Sequence, residues 1–292
     1  MSQQSSQAPS IAKQITYNVI LILTCVVVLY PALWVLKMAL TPSQAFSLDI
    51  SPFPSTISLE NFWVVISGDD PLKEGFQGNW MFFRQFWNST VIAFFTSVVG
   101  LAFSCTAAYG MSRFTFPGKE ASMSLFLITQ MFPGVVMAIP LYILMDSLGL
   151  LNSSFGLALA YSSTAVPFCT WNLKGYFDTI PQDLEDAARI DGASQWVIFT
   201  QIVLPLSKPA LAVTALFSFM TAWNEFILAA TFISDEKAYT LPVLLQSYVG
   251  DYDAKWGLFA AGALLASAPV MTLFFVLQRY LVEGLTAGSV KG

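Results

Sequence analysis

Residues 181–205 read PQDLEDAARIDGASQWVIFTQIVLP, with apolar segments of membrane-spanning length on both sides. Four acidic side chains (Asp183, Glu185, Asp186, Asp191) and Arg189 crowd into a chain that is 55% hydrophobic and only 11% charged. Pro181 suits a first helical turn, where its missing N–H costs nothing. The acids after it suit the positive end of a helix dipole. Gly192 is placed to end that helix as a left-handed cap. Ser194 can cap a second short helix, on which Trp196, Phe199 and Val203 share one face. Pro205 and Pro209 terminate it. An exposed Glu185–Arg189 pair at i, i+4 contributes only about 0.3–0.5 kcal/mol, so local stability does not explain the arrangement. The run reads either as a plain connector or as a small capped hairpin built for docking.

The flanks decide the fold class. By length alone, 292 residues could form one or two soluble domains. So few charges cannot cover a soluble surface, and the composition is that of an all-α integral membrane protein. The net charge of −5 excludes nucleic acid as a partner, since that requires a basic footprint. The chain has no histidine, which removes Ser–His–Asp and Cys–His catalysis, the H-E-x-x-H zinc motif and histidine proton relays. Cys25, Cys105 and Cys169 lie far apart in apolar runs and read as buried small hydrophobes rather than a disulfide framework or a metal site. No residue set has metal-ligand spacing.

Charge-free intervals place the spans. The first is Ile15–Leu36, 22 residues long. The others lie between Arg84 and Arg113, Glu120 and Asp146, Asp146 and Lys174, after Lys208 (interrupted by Glu225), and between Lys255 and Arg279. About 20 apolar residues at 1.5 Å each cross the hydrocarbon core, so six transmembrane helices are expected. The first is read as uncleaved, because its apolar run exceeds a signal peptide's and no small-residue cleavage site follows. The polar tail before it is expected to be disordered. No internal repeat supports an inverted-repeat secondary transporter.

Six spans put both termini on one side. The segments on that side hold eight basic residues (Lys13, Arg113, Lys119, Lys174, Arg189, Lys208, Arg279, Lys291) against five opposite (Lys37, Lys73, Arg84, Lys237, Lys255). The excess makes that side, and the 181–205 stretch, cytoplasmic. The 38–85 and 232–256 connections then face outward.

LEDAARIDGASQWVIFTQIVLPLSKPAL resembles the EAA loop of binding-protein-dependent ABC importers, in which E-A-A-x-x-D-G-A precedes a hydrophobic stretch and I-x-L-P. Here the motif opens Glu-Asp-Ala-Ala. The stretches TAWNEFILAATFISDEKAYTLPVLL (221–245), FPGK (116–119), ITQMFPGVVMAIPLY (128–142) and the terminal RYLVEGLTAGSVKG (279–292) are similar to carbohydrate-uptake permeases, the maltose/maltodextrin group above all. The resemblance implies a type I ABC importer permease fold with a cytoplasmic coupling helix, in the bacterial cytoplasmic (inner) membrane. Its expected parts are a tail over 1–14, a first helix and outward loop over 15–86, the permease core over 87–282 with its coupling loop at 175–208, and a C-terminal tail over 283–292.

By the same resemblance, Glu185, Ala188, Asp191 and Gly192 would make or shape the contact with a cytoplasmic ATPase. Thr286, Gly288 and Lys291 would lie near that ATPase interface. Tyr252, in an outward loop, would touch an extracytoplasmic maltose/maltodextrin-binding protein. Within the chain no G-x-x-x-x-G-K-[ST] loop is present, so ATP and Mg²⁺ would be bound by a separate, dimeric, MalK-like ATPase and no cofactor by this chain. A MalF-like second permease subunit would supply the other half of the pore, with lipid around both. A carboxylate within a span costs several kcal/mol in hydrocarbon, on the order of 3 or more. Asn224 and Glu225 are therefore read as a polar gate or path element, or as a structural hydrogen bond at the end of the fifth span. The aromatic residues suit a membrane protein without any sugar, and no sugar-contacting residue is assigned. The resemblance implies maltose or maltodextrin as cargo, with another oligosaccharide, a sugar alcohol or glycerol phosphate on the same architecture as the alternative. An ion-coupled transporter or an intramembrane enzyme finds little here, with one intramembrane carboxylate and no nucleophile–base spacing.

Overall fold

A computed structural model describes residues 11–68, 80–250 and 254–289, with side chains through 280. The N-terminal residues expected to be disordered lie, through 10, outside this description, as do Lys73, Tyr252 and Lys291. All regular structure among the described residues is helical, with a lone antiparallel bridge between Val249 and Ala254. The chain divides into two compact units, residues 1–79 with 248–265 and residues 80–247 with 266–292.

In the first unit, α1 (Ile11–Leu40) is a 30-residue apolar helix buried only at Lys37, Met38 and Ala39. Cys25 sits on its exposed length, contrary to the expectation that all three cysteines are buried; no other described helix covers α1 there. The end of α1 is tied down by polar groups. Lys37 donates to the Asp49 carboxylate at 3.1 Å and to the carbonyls of Asp49 and Ser51 at 3.0 and 2.7 Å. From α2 (Glu60–Ser67), the buried Asn61 donates to the Ala39 and Thr41 carbonyls at 3.1 and 2.7 Å. These satisfy helix-end carbonyls that have no partner within α1. Gln44 closes the unit, donating to Asn61 and accepting from Leu258 N.

The second unit is organised on α3 (Met81–Arg113), 33 residues long. Its buried positions Ser89, Ala93, Thr96, Gly100, Ser104 and Ala108 repeat every three or four residues and make one stripe of small side chains. Such a stripe lets neighbouring backbones approach, which is how helices associate where lipid removes the hydrophobic drive. Further along are α4 (Lys119–Met131), α5 (Gly134–Ser147) and α6 (Ser154–Phe177). Thr96 and Ser104 donate to the Ala158 and Val166 carbonyls of α6 at 3.3 and 3.1 Å.

The span expected between Glu120 and Asp146 is broken, and a second bend falls just ahead of the fifth. The axes of α4 and α5 differ by 103°, because Phe132 precedes a proline and Pro133 itself is extended. After α7 (Asp183–Ile190) and α8 (Gln195–Ile198), a π-helical turn over Phe199–Val203 leads into α9 (Leu204–Leu206), and the axis bends by 79° at Ser207 before α10 (Lys208–Trp223). Pro205 and Pro209 remove the N–H groups that a straight helix needs. Next come α11 (Ile227–Phe232), a 3₁₀ turn over Glu236–Ala238, and α12 (Leu241–Ser247). Last is α13 (Trp256–Ser289). Thr286 and Gly288 are therefore on a continuing helix, where a tail was expected from 283.

By length and hydropathy three of the described helices can cross a membrane, or five if each bent pair is one span. The expected six are not all recovered. α6 is the shortfall: its Ser154, Ser162, Ser163, Thr164, Thr170 and Asn172 dilute an apolar sequence, and Asn172 donates to Thr214 of α10 at 2.8 Å.

Close approach also fixes the entrance to α6. A Cβ on Gly156 would stand 2.3 Å from the Leu150 carbonyl oxygen. Gly156→Ala is expected to lower the thermal midpoint of the detergent-solubilised protein by several degrees, read by tryptophan fluorescence. An unchanged midpoint would contradict the close approach.

Candidate coupling site

The hairpin of α7 and α8 follows from local chemistry. Asp183, Glu185 and Asp186 fill the first turn of α7, where N–H groups and the dipole favour them. Pro181 stands just before the helix rather than within its first turn. At the other end Gly192 takes φ +84°, its N–H reaches the Arg189 carbonyl at 3.0 Å, and Ala193 N–H reaches the Ala188 carbonyl at 2.9 Å. That pair of bonds is the Schellman arrangement, which glycine adopts without steric strain. The Ser194 hydroxyl then accepts from Val197 N at 3.4 Å.

Glu185 faces inward, contrary to the exposed pair expected from its spacing to Arg189. The Arg113 Nε donates to Glu185 Oε1 at 2.5 Å, and both side chains are buried, 4% and 1% exposed. Tyr109 donates its hydroxyl to Glu185 Oε2 at 3.0 Å, and Gln195 donates to the Tyr109 hydroxyl. Arg189 is farther from Glu185, at 3.6 Å, and is half in solvent, bonded to Asp186. The helical period explains this: Glu185 and Ala188 share one side of α7. Ala188 packs against a core of Tyr109, Phe177, Ile180, Ile198, Phe199 and Val203.

Arg113 also donates to the Ile180 carbonyl at 3.1 Å and to the Ser112 hydroxyl at 2.9 Å. Ser112 donates in turn to Asp178 at 2.6 Å, which pairs with Lys174 at 2.6 Å. Partial burial would raise the Asp178 carboxyl, but Lys174 and Ser112 outweigh it and hold the group below the usual carboxylate range. The last turn of α3 thus grips the hairpin and the end of α6 through one continuous polar network.

The opposite side of the hairpin is open. Leu184, Ile190 and Trp196 are exposed, Ile190 to 87% and Trp196 to 66%, beside the exposed Asp183, Asp186 and Asp191. Trp196 was expected on one face with Phe199 and Val203. Those two are buried, whereas Trp196 lies at the rim with its ring 5.7 Å from that of Phe199. Of the expected site residues, Glu185 and Ala188 point inward and Asp191 and Gly192 lie on the open side. Arg113, Tyr109 and Gln195 were missed; the only sequence signal was an arginine closing the second apolar interval.

Asn224 and Glu225 sit elsewhere, at the break between α10 and α11. Asn224 donates to the Met220 carbonyl at 2.9 Å and so finishes α10. The half-buried Glu225 carboxylate accepts from Leu228 N at 3.0 Å and Ala229 N at 3.2 Å and so starts α11. Among the described residues no cluster of three or more His, Cys, Asp or Glu could hold a metal.

A family model described as "Binding-protein-dependent transport system inner membrane component" matches residues 100–286. The galactooligosaccharides transport system permease protein GanQ of Bacillus subtilis (strain 168) is 38% identical over 268 residues, covering 91% of this chain and 92% of GanQ. The maltose/maltodextrin transport system permease protein MalG of Vibrio vulnificus (strain YJ016) is 42% identical over 212 residues, 70% of this chain and 71% of MalG. A chain of a bacterial ABC transporter for import of alginate superposes with a TM-score of 0.74 at 23% identity, over 94% of this chain and 100% of that one. The α7–α8 hairpin lies inside the matched region, on a fold shared with an ABC importer, and the chain belongs to the binding-protein-dependent transport system inner membrane components.

Proposed function

We propose that this chain is the permease subunit of an ATP-driven ABC sugar importer, forming half of a translocation pore and carrying maltose or maltodextrin. The observation that carries the proposal is the α7 hairpin: its outer side exposes Leu184, Ile190 and Trp196 among acids, while its inner side is locked to α3 by a buried ion pair. An apolar cluster rimmed by charge has the make-up of a protein-contact surface. The permease names among the relatives support sugar as the cargo class.

In this reading the open side of α7 docks in a cleft of a dimeric, MalK-like ATPase, which binds ATP and Mg²⁺. Asp191 and Gly192 belong to the contact itself; Glu185 and Ala188 shape it from behind. Both termini are cytoplasmic, Thr286, Gly288 and Lys291 approach the ATPase, and Tyr252 meets an extracytoplasmic solute-binding protein. A MalF-like subunit completes the pore. Closure of the ATPase dimer on ATP carries the two coupling helices together and turns the spans outward, and hydrolysis resets them. Nucleotide and binding protein both favour the outward state, so each strengthens the other's binding. The Glu225 carboxylate, bound to the α11 backbone, stabilises a helix break that can also act as a gate element with Asn224. Similarity to GanQ favours a second reading of the cargo, a galactooligosaccharide on the same architecture.

Ile190→Asp puts a further acid at the most exposed apolar position of α7. It is expected to reduce ATPase copurifying with the permease about tenfold, a loss of about 1.4 kcal/mol. Undiminished copurification would contradict the docking role. For the cargo, unlabelled maltotriose is expected to suppress labelled maltose uptake by the assembled complex, whereas a galactooligosaccharide of equal length leaves it intact. The reverse order would establish the second reading.

A further inference from the structure

We infer that Arg113 is a positioning residue through which the cytoplasmic end of α3 is made to follow the coupling helix. The inference rests on the importer reading above. Beside the short turn over residues 178–182 to α6, which Arg113 itself holds through the Ile180 carbonyl, movement applied to α7 has two ways into the helices of this unit. One is the chain itself, through α8, the π-helical turn and α9, across the 79° bend at Ser207 to α10. That path contains Pro205 and Pro209 and lacks the regular ladder that would make it stiff. The other is lateral, from Glu185 to Arg113 at 2.5 Å.

The lateral path has the features of a rigid link. Arg113 spends its donors in three directions, on Glu185 Oε1, the Ile180 carbonyl and the Ser112 hydroxyl. It therefore fixes the start of α7, the turn before it and the end of α3 at one point. Both carboxylate oxygens of Glu185 are engaged, the second by Tyr109 one helical turn earlier on α3. With both partners excluded from water, neither can exchange its bond for a solvent one. Apolar contacts around the pair hold the same surfaces together without direction and permit sliding. The ion pair and its hydrogen bonds do not. α3 is also the helix whose small-residue face receives α6, and α10 bonds to it through Ser97 and the Ala215 carbonyl at 3.0 Å. A displacement of Arg113 thus enters the unit at its most connected helix.

The test compares ATP hydrolysed with maltose carried, in proteoliposomes holding this chain with the second permease subunit, ATPase and binding protein of its own host. The variants are Arg113→Lys, Arg113→Gln and the double replacement Arg113→Met with Glu185→Leu. A buried ion pair exchanged for apolar side chains of similar volume commonly keeps or gains stability, so the double variant assembles even where Arg113→Gln does not. Under the inference the double variant hydrolyses ATP but carries at least fivefold less sugar per ATP, and Arg113→Lys stays within about twofold of the unaltered protein. An unchanged ratio in the double variant overturns the inference, since a purely structural pair is replaceable. Absence of ATP-driven uptake by the unaltered complex would instead defeat the importer reading.

Discussion

The pairing of Glu185 with Arg113 is the constraint on which the α7–α8 hairpin and the end of α3 depend. Two opposite charges are taken out of water where α7 meets the end of α3. Breaking such a pair leaves one buried charge uncompensated, at a typical cost of about 3–5 kcal/mol. Everything nearby is arranged to complete its bonding. Tyr109 fills the second carboxylate oxygen, Gln195 orients Tyr109, and the Ile180 carbonyl and Ser112 take the remaining guanidinium donors. Because the inner side of α7 is satisfied in this way, its outer side is free to carry apolar groups that none of the described residues covers.

The membrane-embedded part follows a different economy. Small residues on α3 bring α6 close, hydroxyls of α3 bond to α6 carbonyls, and the bends at Pro133 and Ser207 fall where prolines remove donors. Asn224 and Glu225 belong to that logic. A break between α10 and α11 exposes backbone groups within an apolar region, where unsatisfied ones are expensive, and these two side chains supply the missing partners.

Much of this was legible from the residues. Low charge and long apolar intervals identified a helical membrane protein, and the 181–205 run marked the α7–α8 hairpin, with Gly192 and Ser194 capping as their chemistry predicts. Three things were not. Counting apolar residues cannot see a bend, so Pro133 broke a span that hydropathy drew as straight. The i, i+4 spacing of Glu185 and Arg189 hid the real partner, Arg113, which is 72 residues away in sequence and is joined only by the fold. Likewise Trp196 shared a face with Phe199 in projection, whereas the limit of the core falls between them.

The central claim is that this chain transmits a partner's ATP hydrolysis to the movement of a sugar. It is tested most directly by labelled maltose uptake into proteoliposomes made with and without this chain, each with and without ATP, in the presence of the partner subunits and binding protein. The account predicts uptake only when both the chain and ATP are present. Uptake by this chain alone in the absence of ATP would contradict it.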